Sequence, residues 1–250
     1  VAFSAGVDSS LIAYCAKRAL GDKAYAVTSL SSSFPEAEKQ TAREVAREIG
    51  IELIEVVQDD LGTPEYIANG VSRCYFCRNN LALAIQPICD KNSIAVRVDG
   101  THVDDMKTPR PGIKALREAG FRAPYVELGM GKDMIRSTAR LAGLSNWERP
   151  SEACLSSRVA FGQKIDLETL RRIEDAERAV KLITGATIVR VRTIGTSANV
   201  EVDKPSLATA FERVERITRS LKELGYDSVK IDPEGYASGK MLELFVKENA

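Results

Sequence analysis

Val1-Ala2-Phe3-Ser4-Ala5-Gly6-Val7-Asp8-Ser9-Ser10-Leu11-Ile12 opens the chain and decides its fold. Val1 to Phe3 is apolar and reads as the end of a buried strand. From Asp8 to Leu20 the apolar residues Leu11, Ile12 and Cys15 recur at helical spacing, and Gly21 is a stop. Ser4 to Ser10 is therefore a strand-to-helix turn, where backbone N–H groups and the helix dipole favour an anion. Ser9 and Ser10 add hydroxyl donors, and Gly6 keeps side-chain atoms off a bound phosphate. No Gly-Lys-Ser/Thr follows, so this is not a Walker loop. The plainer alternative is a capped helix, with Asp8 as N-cap and the serines as turn formers.

Outward from that turn, short apolar stretches alternate with amphipathic ones. Strands are expected at Ala24–Leu30, Ile51–Val57 and Ile94–Val98, and helices at Glu36–Ile49, Arg78–Lys91 and Lys132–Leu141. This alternation predicts an α/β fold with a doubly wound, mostly parallel sheet. The loops that follow the strands then share one edge of the sheet. The pattern changes beyond about residue 160. A helix over Leu167–Ile183, strands at Thr187–Thr193 and Asn199–Val202 around Gly195, a helix over Leu207–Leu224 and a strand at Asp227–Ile231 make a smaller α+β module. The boundary falls within Leu144–Gly162, giving domains 1–150 and 151–250.

The composition narrows the function classes. Hydrophobic residues are 44% and charged residues 28% of 250, which excludes a disordered chain. Lys plus Arg and Asp plus Glu are 35 each, so there is no basic surplus of the kind that broad nucleic-acid binding requires. No apolar run is long enough for a membrane helix, and no signal peptide opens the chain. Five cysteines, an odd number, argue against a secreted disulfide framework and for a reducing cytoplasm. The start at Val1, inside a strand, implies that an initiator Met and a short leading segment precede it.

Cys74-Tyr75-Phe76-Cys77 is a C-x-x-C, and Cys154 lies in the domain junction. Three readings stand. A redox disulfide is weakened by the intervening Tyr-Phe and by a helix expected only after Cys77. A zinc site needs a fourth ligand, for which His102, the single histidine, is available. A three-cysteine iron–sulfur cluster needs no fourth protein ligand. Cys15, on the apolar face of the first helix, and Cys89 read as core residues.

Other polar residues carry a functional and a plain reading side by side. Asp8 suits Mg2+ or loop organisation. Asp99-Gly100-Thr101 ends a strand on the ligand edge. Asp104 and Asp105 suit Mg2+ or a solvated loop. Arg110 and Arg158 suit phosphate or carboxylate forks. Arg190 and Arg192 alternate along a strand and share a face, so they need an anion there or a carboxylate such as Glu201.

The opening turn resembles the Ser-Gly-Gly-x-Asp-Ser pyrophosphate loop of the ATP pyrophosphatase superfamily, with Ala5 where that family has Gly. If the position needs positive φ, alanine costs about 1 kcal/mol. Three further blocks narrow the resemblance. They are Asp99-Gly100-Thr101 followed by Arg110-Pro111-Gly112-Ile113-Lys114-Ala115 and Glu118-Ala119-Gly120; Cys154-Leu155-Ser156-Ser157-Arg158; and Val189-Arg190-Val191-Arg192. Together they resemble the LarE family of ATP-dependent sulfur transferases over essentially the whole chain. That resemblance implies adenylation of the carboxylates of pyridinium-3,5-biscarboxylic acid mononucleotide and their conversion to thiocarboxylates for a nickel-pincer nucleotide. It implies ATP and Mg2+ at Ser4-Ala5-Gly6-Val7-Asp8-Ser9-Ser10 with Asp99, Gly100, Thr101 and Arg110. It also implies the substrate's phosphate at Arg190 and Arg192, chemistry at Cys154, Asp8 and Arg158, and a metal role at Glu177.

One branch of the family surrenders the sulfur of a single cysteine, and another holds a [4Fe-4S] cluster on a C-x-x-C and a junction cysteine. Cys74, Cys77 and Cys154 match the second. The expected partners are a small nucleotide substrate, the proteins of the nickel-pincer pathway and further copies of the chain; a membrane and nucleic acid are not expected. The alternatives are a tRNA-thiolating enzyme of the same superfamily, an ammonia-using synthetase resembling those for GMP or NAD, and a nucleotide-binding protein without turnover.

Overall fold

Strand pairing shows why the opening residues matter. In the computed structural model, which describes residues 1–108, 110–150 and 152–237, the segment Val1–Phe3 lies between two parallel ladders. One joins β1 (Tyr25–Ser29) to β2 (Glu52–Val56), and the other joins β3 (Arg97–Val98) to β4 (Phe121–Arg122). Phe3 donates its N–H to the Val27 carbonyl and Val27 donates to the Val1 carbonyl, both at 2.8 Å, while Ala2 donates to the Val98 carbonyl at 2.9 Å. With the opening segment counted as first, the strand order is 3-2-1-4-5. The order reverses beside that first strand, the place where open α/β sheets bind ligands.

The chain divides into two compact units. Unit 1 comprises Val1–Tyr66 and Ser72–Glu152, and unit 2 comprises Ile67–Val71 and the described residues from Ala153 onward. In unit 1 the sheet carries helices on both faces. Ala26 packs with Ala13 of α1 (Val7–Leu20) and with Ala42, Val45 and Ala46 of α2 (Glu36–Ile49). Its neighbour Val27 points the other way, into a cluster with Leu81, Ala82, Ile85 and Cys89 of α4 (Arg73–Lys91) and Leu116 of α5 (Pro111–Glu118). Strands buried on both faces read as continuous apolar runs, as Ala24 to Val27 does. The short helices α3 (Pro64–Ile67) and α6 (Pro124–Glu127) connect these elements. Ile135 and Ala139 of α7 (Lys132–Leu141) pack on Val7, Leu11 and Ile12.

Unit 2 is the α+β module. The hairpin of β5 (Val189–Ile194) and β6 (Ser197–Val202) pairs in parallel with β7 (Ser228–Ile231). Ala176 and Val180 of α8 (Leu167–Thr184) and Ile217 and Leu221 of α10 (Val214–Glu223) pack onto it in one buried cluster. The expected single helix over Leu207–Leu224 is two, α9 (Leu207–Glu212) and α10. Arg213 leaves the helical region between them (φ −106°, ψ 17°), and its guanidinium hydrogen-bonds to the Ile183 carbonyl near the end of α8. No helix among the described residues is long and apolar enough to cross a membrane.

Two other expectations change. Helix α4 starts at Arg73, not Arg78, so the C-x-x-C lies in its first turns. The objection to a redox reading that rested on a later helix start therefore falls. Cys15 is exposed on α1 instead of buried, whereas Cys89 is in the core.

Candidate functional site

The loop Ser4–Ser10 sits at the reversal of strand order, and several buried contacts fix it. Ala5 has φ +56° and is fully buried, so the loop does demand a left-handed residue there. The buried Asn146 amide donates to the Ala5 carbonyl and to Ser10 Oγ, each at 2.8 Å. Ser9 Oγ donates to the Gly6 carbonyl at 3.1 Å and accepts from the Ser4 N–H at 3.3 Å. The Tyr125 hydroxyl donates to the Asp8 carbonyl at 2.8 Å. Burial, with the Asp8 charge in support, pushes that phenol well above its usual range, so it stays a donor. A Cβ on Gly100 would meet the Ser9 nitrogen and the Asp8 Cβ at 3.1 Å. A larger residue there would push the loop after β3 and the phosphate turn apart by a few tenths of an ångström.

Asp8 is not the N-cap of α1. Gly6 is, and no side-chain cap bonds the helix start among the described residues. The first-turn N–H groups of α1 are therefore not taken up by a side chain, which leaves them suited to an anion. The Asp8 carboxylate is held by Lys132, whose Nζ lies 2.8 and 2.7 Å from its two oxygens. Neither Lys132 nor Asn146 stands out in the sequence. Each lies over 120 positions from the loop, among other polar residues, with nothing local to single it out.

The neighbouring carboxylates serve the loop geometry. Asp99 accepts from the Thr101 N–H at 2.7 Å. Asp104 accepts from the Lys132 N–H at 2.8 Å and pairs with Lys107, which holds its carboxyl below the usual range. Asp105 pairs with Arg110 at 2.7 Å and accepts from the His102 N–H at 3.1 Å. Arg110 and Asp105 thus answer each other, and Asp104 is answered by Lys107 and the Lys132 N–H. The His102 ring faces Asp104 and Asp105, and within unit 1 no third His, Cys, Asp or Glu among the described residues joins Cys74 and Cys77 as a metal set. The zinc reading through His102 has no geometric support.

Cys74 is exposed and Cys77 half-buried, one helical turn apart, and neither is in a disulfide. The Gln58 amide donates to the Cys77 carbonyl at 2.9 Å and lies 3.5 Å from its Sγ. Gln58 also donates to Asp60, a buried carboxylate that accepts from Ser31 and Asn80 as well. Helix α5 reaches this turn through Gly112, where a Cβ would meet the Cys74 carbonyl at 3.2 Å. Pro111 starts that helix, so the Arg-Pro-Gly block has a packing reason.

Cys154 belongs to unit 2, as N-cap of a 3-10 turn over Leu155–Arg158, and is half-buried. Arg158 is 1% exposed. It donates to the Ala153 and Cys154 carbonyls at 2.6 and 2.9 Å and forks onto Glu177 at 2.8 and 3.1 Å. The Glu177 carboxylate is thus an ion-pair partner here. Arg192 forks onto the buried Glu201 at 3.2 and 3.1 Å and donates to the Ser157 carbonyl at 3.0 Å. That is the carboxylate answer of the two readings. Arg190 lies over the Tyr236 ring, 5.2 Å from its centroid, and is buried.

Residues 1–68 match the asparagine synthase family model. The Synechocystis protein slr1717, described as uncharacterised, is 35% identical over 99% of this chain and 92% of its own length. The pyridinium-3,5-bisthiocarboxylic acid mononucleotide synthase of Lactiplantibacillus plantarum is 29% identical over 99% of this chain and 90% of its own length. The uncharacterised protein MJ0830 of Methanocaldococcus jannaschii is 31% identical over 69% of this chain and 67% of its own length.

Proposed function

We propose that this chain, which belongs to the LarE family within the ATP pyrophosphatase superfamily, is an ATP-dependent sulfur transferase that turns the carboxylates of pyridinium-3,5-biscarboxylic acid mononucleotide into thiocarboxylates. The observation that carries this is the Ser4–Ser10 turn: a helix start without a side-chain cap, at the reversal of strand order, with its backbone fixed by Asn146 and Tyr125. ATP with Mg2+ takes that turn, its phosphates on the α1 N-terminus and on the Ser4 and Ser9 hydroxyls. A substrate carboxylate oxygen bonds to the α-phosphorus, the bond from there to the β-phosphate oxygen breaks, and pyrophosphate leaves with the electron pair. A sulfur nucleophile then attacks the acyl carbon, and AMP leaves. In this reading Asp8 organises the metal and the loop, and Arg158 fixes the backbone that carries Cys154. Arg190 is assigned to the substrate's phosphate, and Arg192, forked onto Glu201, holds the turn after Cys154 through the Ser157 carbonyl.

The sulfur chemistry is assigned to Cys74, Cys77 and Cys154. What supports giving them a [4Fe-4S] cluster is their chemistry: three thiols outside disulfides, Cys74 and Cys77 one helical turn apart, with a Gln58 amide beside the Cys77 sulfur. Such a cluster, when bound, supplies sulfide from an iron that the protein leaves open. Gln58 orients Cys77, and Arg158 and Ser157 orient the turn at Cys154. Protein prepared without oxygen should contain iron and acid-labile sulfide and absorb in the visible. Cys74→Ser, Cys77→Ser and Cys154→Ser should each lose most of both. A colourless, active enzyme whose mass falls by about 34 Da on turnover would instead assign a sacrificial Cys154.

A further inference from the structure

We propose that Tyr236 is a positioning residue for recognition of the substrate's phosphate, its ring holding the Arg190 guanidinium so that the N–H groups away from the ring face the anion. This rests on the assignment of Arg190 to that phosphate. The Arg190 Cζ lies over the Tyr236 ring, 5.2 Å from its centroid, which is within cation–π range. Arg190 is 3% exposed and Tyr236 is half-buried, so the ring is part of the cover over a buried cation.

The turn after β7 delivers the ring to that place. The Asp232 N–H donates to the Val200 carbonyl at 2.8 Å and the Tyr236 N–H to the Val202 carbonyl at 2.9 Å, so both ends of the turn are tied to β6. Between them the Gly235 N–H closes on the Asp232 carbonyl at 3.1 Å. The buried Asp232 carboxylate accepts from the Asn199 amide at 3.1 Å and from the Glu234 N–H at 3.0 Å. Gly235 has φ +70°, and a Cβ there would meet the Val202 carbonyl oxygen at 2.7 Å. Both the left-handed backbone and the close approach to β6 call for glycine, and Tyr236 follows directly.

The strand register shows what the ring adds. Arg190 stands opposite Glu201 in the β5–β6 pair, yet both Glu201 oxygens accept from Arg192, at 3.2 and 3.1 Å. Arg190 Nη1 donates to the Val189 carbonyl at 2.8 Å. A hydrogen bond at one nitrogen fixes a point of the guanidinium, and the ring fixes its orientation about that point. The face of an aromatic ring is electron-rich, so it attracts the cation and repels an anion. A phosphate therefore meets Arg190 on the side away from Tyr236, where the N–H groups form charge-assisted bonds to its oxygens.

Equilibrium binding of two probes reads this role: nicotinic acid mononucleotide, which carries the phosphate, and nicotinic acid riboside, which lacks it. The wild-type protein should bind the mononucleotide about tenfold tighter or more. Tyr236→Leu should weaken mononucleotide binding about fivefold, while riboside binding changes by less than about twofold. Tyr236→Phe keeps the ring and should stay within about twofold of the wild type for both probes. In an Arg190→Ala background, Tyr236→Leu should cost mononucleotide binding less than about twofold, because the ring acts through the arginine. If Tyr236→Leu weakens both probes equally, or costs as much without Arg190, the ring supports the fold or touches the ligand itself, and the proposal is overturned. If Tyr236→Leu changes neither probe while Arg190→Ala abolishes the preference for the mononucleotide, the proposal alone fails. If Arg190→Ala leaves that preference intact, or the wild type shows none, the assignment of Arg190 fails and the proposal fails with it.

Discussion

Ala5 is where the sequence departs from the superfamily loop, and its geometry shows what the departure costs. At φ +56° a β-carbon crowds the following carbonyl, a strain of about 1 kcal/mol. The same methyl is fully buried among Phe3, Ala13 and Ala26, and burying it returns about as much, ~0.8 kcal/mol. Alanine is therefore tolerated because the two effects nearly cancel. The conformation itself is imposed from outside the loop, by the Asn146 amide on the Ala5 carbonyl and Ser10 Oγ. Asn146→Asp keeps the size but replaces the donor with an acceptor, so the buried Ala5 carbonyl loses its partner and faces a carboxylate, while the Ser10 hydroxyl must turn to donate. The expected cost is about 2–3 kcal/mol in chemical denaturation, with loss of ATP binding. A variant as stable as the wild type would show that the loop holds its shape without Asn146. The loop's class was legible from six consecutive residues. Asn146 and Lys132 were not, because contacts across more than 120 positions leave no local pattern.

At the scale of elements, the helices with strong periodicity agree with the sequence: Glu36–Ile49 and Lys132–Leu141 match to the residue. Helix α4 does not, because its first turns carry Cys74, Tyr75, Phe76 and Cys77 without an apolar stripe. Tertiary anchoring decides there. Asp60 accepts from Ser31 Oγ at 2.8 Å, Gln58 at 2.8 Å and Asn80 at 3.0 Å, and Gln58 passes the link on to the Cys77 carbonyl. The loop after β2 thus clamps the start of α4 from below. Asp60→Ala leaves three donors unanswered in a buried site and should cost about 3 kcal/mol. The loss should be local. Amide exchange over residues 73–80 should quicken well before that of Leu81 to Cys89, which the core cluster holds. Uniform exchange along the whole helix would show that α4 forms independently of this clamp.

At the scale of the whole molecule, the change from alternating strands and helices to an α+β module was visible in hydrophobic period. The exchange of a short segment was not. Ile67–Val71 belongs with unit 2 although both flanking stretches belong to unit 1. A five-residue insertion of this kind carries no compositional mark, and it is held by backbone and amide bonds that a periodicity reading does not register. Asn69 is its centre. Fully buried at φ +52°, it donates its side-chain amide to the Ala160 carbonyl at 2.7 Å and the Gln163 carbonyl at 3.0 Å, and its own carbonyl accepts from the Gly162 N–H at 3.1 Å. Asn69→Gly preserves the left-handed backbone but removes the amide, so the loss reports those hydrogen bonds and not strain. The expected cost is about 2–3 kcal/mol, borne by unit 2. The chain has a single tryptophan, Trp147, and it lies in unit 1. Its fluorescence follows unit 1, while far-ultraviolet circular dichroism follows both. In Asn69→Gly the dichroism transition should broaden and begin at lower denaturant, with the Trp147 midpoint moving less. Equal shifts of both signals would mean that the two units unfold as one cooperative body and that the segment's bonds stabilise the whole chain, not unit 2 alone.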